Sequence, residues 1–174
     1  MNKLTNEQIG YIAGIVDGES NVSIRRIGSH KTKRSSFYCY MSISNTSHEL
    51  LVYLCNITGL GYVNGPYKQF GDNRKLYWKW HVPQSELLPL LEIVRPLLIV
   101  KRKIVSLVFA MRELQSSDWR TTTIEILASR EAIYQEAKLV NRRGYTANGE
   151  NSVDTQNGQY RAEPIKIGTC NGQA

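Results

Sequence analysis

The spacing of apolar residues changes period several times along the chain, and each change marks an element. Ile9, Ile12, Ile15 and Val16 recur at helical intervals, Thr5 and Gln8 form a capping box ahead of them, and Gly18 falls near the end. A helix over 5–18 is predicted. From Asn21 to Ile27 and from Phe37 to Asn45 apolar and polar residues alternate, so Val22 and Ile24, then Phe37, Cys39, Met41 and Ile43, share one face. This predicts a hairpin over 21–45 with a basic, serine-rich loop.

Thr46 and Glu49 predict a second capping box, followed by an apolar stripe of Leu50, Leu51, Leu54 and Ile57 that Gly59 and Gly61 end. Strand signals resume at Tyr62-Val63 and, after the turn residues 70–73, at Leu76, Trp78, Trp80 and Val82, giving a second hairpin over 62–82. A third helix is expected over Ser85–Val94, its regular part delayed by Pro89. A fourth follows Pro96 over Leu97–Leu114, and a last covers Ile124–Leu139. Residues 141–174, rich in Asn, Gly, Gln and Thr, read as a polar tail, either disordered or laid over the surface. The fold class is therefore α+β: a four-stranded antiparallel sheet with helices on one face, in one domain over 1–140.

The polar face of that sheet is not an ordinary solvent face. The first hairpin places Asn21, Ser23 and Arg25 on it, with Tyr38, Tyr40 and Ser42 from the returning strand; the second adds Lys75, Tyr77, Lys79 and His81. Cations alternate there with tyrosines and small hydrogen-bonding groups able to meet phosphates and base edges, and a β-ribbon is narrow enough to enter the DNA major groove. Trp78 and Trp80 belong to the opposite, core face.

Charge sharpens this reading. Residues 20–82 hold nine Lys or Arg, among them Lys31, Lys33, Arg34, Lys68 and Arg74, against two acids, an excess equal to the net charge of +7 of all 174 residues. The positive field thus belongs to one part of the fold and calls for a polyanion. Tyr67 and Lys103 join the expected DNA-contacting set. The longest aliphatic run, Leu97–Val100, stops at Lys101-Arg102-Lys103, far short of the roughly 20 apolar residues that span a bilayer; no membrane partner is expected. The start lacks an apolar leader, and the cysteines lack CxxC spacing, which argues against secretion and a cysteine zinc site and for a place inside the cell, with DNA.

Gly10, Gly14 and Gly18 stand four residues apart beside Ala13 and Asp17, so one face of the first helix is nearly without bulk. Glycine in a helix interior costs about 1 kcal/mol relative to alanine, so the pattern asks for a close helix contact, either with a second copy or with another helix of the same chain. If two copies pair about a two-fold axis, their Glu19 carboxylates meet below the basic face and form a site for a hard divalent cation such as Mg²⁺, which can activate water for phosphodiester hydrolysis.

Ile12-Ala13-Gly14-Ile15-Val16-Asp17-Gly18-Glu19-Ser20 resembles the LAGLIDADG motif of homing endonucleases, at eight of nine positions with conservative swaps. The element order resembles the family's αββαββα core, and Leu60–Val63 and Pro96–Lys103 resemble segments of its members. The resemblance implies a homodimer of the single-motif type, with Gly10, Ala13, Gly14 and Asp17 at the interface and Asp17 capping. It implies Glu19 and the Gly18 carbonyl as metal ligands, Lys101 near the scissile phosphate and Asn45 positioning solvent. The implied substrate is a long, near-palindromic DNA duplex cut in both strands. A non-cleaving nucleic-acid-binding protein on the same scaffold, an intron RNA maturase or a transcriptional regulator, is the competing reading. Ser20 stands where the motif ends in glycine; if that turn needs positive φ, serine strains it and weakens cleavage relative to a Ser20→Gly variant.

Overall fold

The computed structural model describes residues 2–29, 32–68, 75–115 and 122–142. Thr5 caps the first helix, α1 (Asn6–Glu19), through the expected reciprocal capping box with Gln8. The chain then enters β1 (Ser20–Ser29) and returns as β2 (Thr32–Asn45). The cap of α2 (His48–Thr58) is Ser47, not Thr46: its hydroxyl accepts from the Leu50 amide, while Asn45 accepts from the Ser47 amide and sets the turn one residue later. Gly59 closes α2 in the left-handed region at φ 64°.

β3 (Tyr62–Tyr67) and β4 (Tyr77–Val82) follow. Gly61, at φ 71°, lies so close to the His81 backbone and the Trp80 indole that an added Cβ would stand 2.3 Å from the His81 carbonyl oxygen. Pro89 does not delay α3, which is regular over Gln84–Val94. Its Leu87, Leu90, Leu91 and Val94 are all buried, and that apolar stripe outweighs the one helical hydrogen bond that proline removes. The expected helix from Leu97 divides into a 3₁₀ turn (Arg95–Leu97), an irregular stretch over 98–101, and α4 (Arg102–Gln115). α5 (Ile124–Val140) follows. The expected tail lies outside the described residues beyond Arg142.

The sheet order is β1-β2-β4-β3, antiparallel throughout. Register aligns Val22, Met41 and Val82 in one row and Ile43, Trp80 and Val63 in the next, all buried. Among the described residues, helices cover this inner face alone, as the alternation predicted. Trp80 is fully buried with its indole N–H donating to the Leu60 carbonyl at 2.9 Å, and Trp78 packs at the core's margin. α5 is tied to the sheet by Arg26–Glu131 at 3.2 Å and by the Asn141 side-chain amide donating to the Val22 carbonyl at 2.9 Å. Burial pushes the Cys39 thiol up to about 12, against a smaller opposing effect of Arg112, so it is inert packing.

Candidate functional site

α1 is two-sided. Ile12 and Val16 are fully buried, and Ala13, expected on the small-residue face, is 3% exposed and packs in the chain's own core. Gly10, Gly14 and Gly18 face outward, and an added Cβ at any of them would meet nothing within 4 Å. Among the described residues, no other helix lies over them. Beside them the stretch after α3 exposes Ile99 (80%) and Val100 (71%). A bare helix face bordered by exposed aliphatic side chains forms an open apolar patch.

Asp17 joins these two segments. One carboxylate oxygen accepts from the backbone amides of Ile99 at 2.9 Å and Val100 at 3.0 Å, the other from Lys101 at 2.7 Å. Burial raises its pKa, but the three amides and the charge of Lys101 together outweigh burial and hold it below the ordinary value. Lys101 is thereby fixed at the foot of α1, and Asp17 is spent on amides within its own chain. That leaves Glu19, exposed at the last position of α1, as the open carboxylate of the motif. Next to it the Gly18 carbonyl lies in the final turn, where helix carbonyls lack intrahelical donors.

Both are hard oxygen donors of the kind Mg²⁺ takes. Among the described residues, no group of three or more His, Cys, Asp or Glu could hold a metal. Ser20 does not strain the turn: it adopts φ −78° and ψ 149°, and its hydroxyl donates to the Val16 carbonyl while the side chain is buried. The condition on which strain at Ser20 was expected, a positive φ, is therefore not met, because the helix leads straight into an extended strand.

The outer face of the sheet is built by register. Asn21, Ser42, His81 and Tyr62 form one row across the four strands, and Ser44, Lys79 and Asn64 a second. None of the strands contains a carboxylate. Tyr62, Asn64 and Ser44 were missed by sequence reasoning, although the alternation around Val63 and Ile43 placed them opposite core residues. Lys79 lies over the rings of Tyr67 and Tyr77, at 5.5 and 5.6 Å from their centroids. His81 is flanked by Tyr40 and Tyr62; its pKa is lowered by burial, then by Arg25 and Lys79.

Not every predicted contact residue is open. Tyr40 is only 5% exposed, covered by neighbours on its own face. The Tyr38 hydroxyl accepts from the Gln84 amide at 3.3 Å. Asn45 accepts from Ser47, and Lys103 pairs with Glu136 at 3.1 Å. Ser23 lies half-buried on the outer face, whereas Lys68 and Lys75 are exposed at the ends of the second hairpin. Lys31 and Arg74, and the side chains of Lys33 and Arg34 in β2, lie outside the described residues.

No protein-family model and no curated protein matches the chain. Solved structures do. The archaeal intron-encoded homing endonuclease I-Vdi141I, complexed with DNA, superposes with a TM-score of 0.66 at 16% identity over 82% of this chain and 89% of its own. The homing endonuclease I-CvuI, in complex with an uncleaved target in the presence of Mg, gives 0.64 at 19% identity, over 80% and 86%. The LAGLIDADG homing endonuclease I-SmaMI bound to cleaved DNA gives 0.59 at 20% identity, over 84% of this chain but 47% of its own. At such identities the likeness concerns architecture, and the chain has the αββαββα fold of these homing endonucleases.

Proposed function

We propose that this protein is a site-specific, divalent-metal-dependent DNA endonuclease acting as a homodimer on a long, near-palindromic duplex. The observation that carries this reading is the open glycine face of α1, with nothing within 4 Å of where Gly10, Gly14 and Gly18 would place a Cβ, leading to an exposed Glu19 at the edge of a carboxylate-free, cationic and aromatic sheet face. Two such helices packed about a two-fold axis would place two Glu19 side chains and two Gly18 carbonyls together. The DNA complexes among the structures of like fold support the substrate class.

In this reading each sheet face lies along one half-site, where Lys79 and Arg25 supply positive charge and, with His81, hydrogen-bonding groups to phosphates and base edges. Glu19 and the Gly18 carbonyl would hold the metal. A divalent ion held there would supply an acidified water and charge stabilisation for the leaving oxygen of the phosphodiester. Lys101, held by Asp17, steadies negative charge on the scissile phosphate.

The test is incubation of the chain with a duplex library and Mg²⁺, with Glu19→Gln as control, alongside sedimentation of the free protein. Double-strand breaks by a dimer, lost in the control, are expected. Cutting that persists in Glu19→Gln removes Glu19 from its role, and binding without breaks selects the non-cleaving alternative.

A further inference from the structure

Among the described residues, Arg25 is the outer-face arginine whose guanidinium is braced from within its own sheet. It opposes Tyr38 in register, and Tyr40 lies on the diagonal. Its Nε donates to the Tyr40 hydroxyl at 2.8 Å, and its Cζ lies 4.3 Å from the Tyr40 ring centroid. Tyr40 is in turn flanked by Tyr38, with centroids 6.2 Å apart, and by His81 at 5.6 Å. These neighbours leave a tyrosine on the polar face only 5% exposed. That burial makes Tyr40 a support for another side chain instead of a contact residue.

The covalent geometry of guanidinium does the rest. With Nε engaged, the edge formed by the two terminal nitrogens lies on the opposite side of the group, parallel donors ready for a planar acceptor pair. An unbraced surface arginine gives up rotamer freedom when it binds; a braced one has already lost it. Two phosphate oxygens can also take such an edge, but on a sheet face laid in the major groove the base that offers two adjacent acceptors is guanine, through O6 and N7. Resting on the DNA-binding reading above, we propose that Arg25, positioned by Tyr40, is a specificity determinant that reads one guanine in the half-site contacted by each chain.

The experiment selects duplexes from a randomised library with the full-length chain, then measures affinity for the selected site and for its single-base variants, using wild type, Arg25→Lys and Tyr40→Phe. Lysine keeps the charge and loses the fork; phenylalanine keeps the ring and loses the hydroxyl. Wild type is expected to select guanine at one position per half-site and to discriminate there by about tenfold or more. Arg25→Lys should flatten that position alone, leaving preferences elsewhere and the salt dependence of binding in place, and Tyr40→Phe should reduce the discrimination by roughly threefold without changing the far-ultraviolet circular dichroism. A uniform loss of affinity across all variants in Arg25→Lys would assign Arg25 to phosphate and overturn the inference, as would an unchanged preference. Failure of the wild-type chain to enrich any duplex would overturn the DNA reading and this inference with it.

Discussion

Replacing Asp17 by alanine removes the acceptor of three backbone N–H groups at once. Charge-assisted hydrogen bonds contribute about 1.5–3 kcal/mol each in protected settings. The amides of Ile99 and Val100 lie at exposed residues and regain water when the carboxylate goes, whereas that of Lys101 is partly buried and loses its partner outright. The expected net cost is therefore about 2 kcal/mol, well below the simple sum. For a domain of this size that corresponds to a fall in Tm of roughly 5–8 °C. The pH dependence follows from the direction of the shift. The folded pKa of Asp17 lies below its ordinary value of 3.8, so the stabilisation is complete above that value and fades as pH falls through the lower, folded one. Melting curves of wild type and Asp17→Ala should therefore stand apart at pH 7 and converge as the pH drops below 3.8. An equal separation at pH 7 and at pH 3 would refute the claim that the ionised carboxylate holds the 99–101 stretch. Cleavage is a second readout, since a displacement of Lys101 by about 1 Å should slow it by on the order of 100-fold.

Ser20→Gly should lower stability by about 1 kcal/mol, through the lost bond to Val16 and the greater freedom of the unfolded chain, and should not speed cleavage; a gain in either thermal melting or rate would contradict the relaxed backbone at this position. Gly14→Leu should stabilise the isolated chain by about 0.5–1 kcal/mol through helix propensity while abolishing self-association, so a dimer of undiminished affinity in sedimentation equilibrium would place the interface elsewhere. Gly61→Ala forces a Cβ to within 2.3 Å of the His81 carbonyl at a positive φ. It should cost at least about 3 kcal/mol in denaturant unfolding, and a midpoint like that of the wild type would mean that the β4 backbone yields there.

The elements of this protein are legible in its sequence because what specifies them lies within a few residues. The Thr5–Gln8 capping box, the alternation of Val22 and Ile24 or Trp78 and Trp80, and the glycines that end α2 act through neighbours in the chain or on one face. Hence the fold class, the covered and uncovered sides of the sheet and the confinement of charge to one region could be read directly. Local signals misled where packing outweighed them, as at Pro89, whose helix is held by buried leucines, and where a turn shifted a cap by one residue, as at Ser47.

What tertiary structure alone decided are relations between distant residues. The partners of Asp17 lie 82 to 84 positions away, so no periodicity could reveal that the first acid of the motif is consumed by amides while Glu19 stays open. Tyr40 shares its alternation with Tyr38 and Ser42, yet only the register of β1 against β2 sets its hydroxyl beside the Arg25 guanidinium. The conformation of Ser20 depended on the angle at which helix meets strand. Patterning selects a face through the sum of many small local preferences, whereas the partner of a single polar atom is chosen by how whole elements pack.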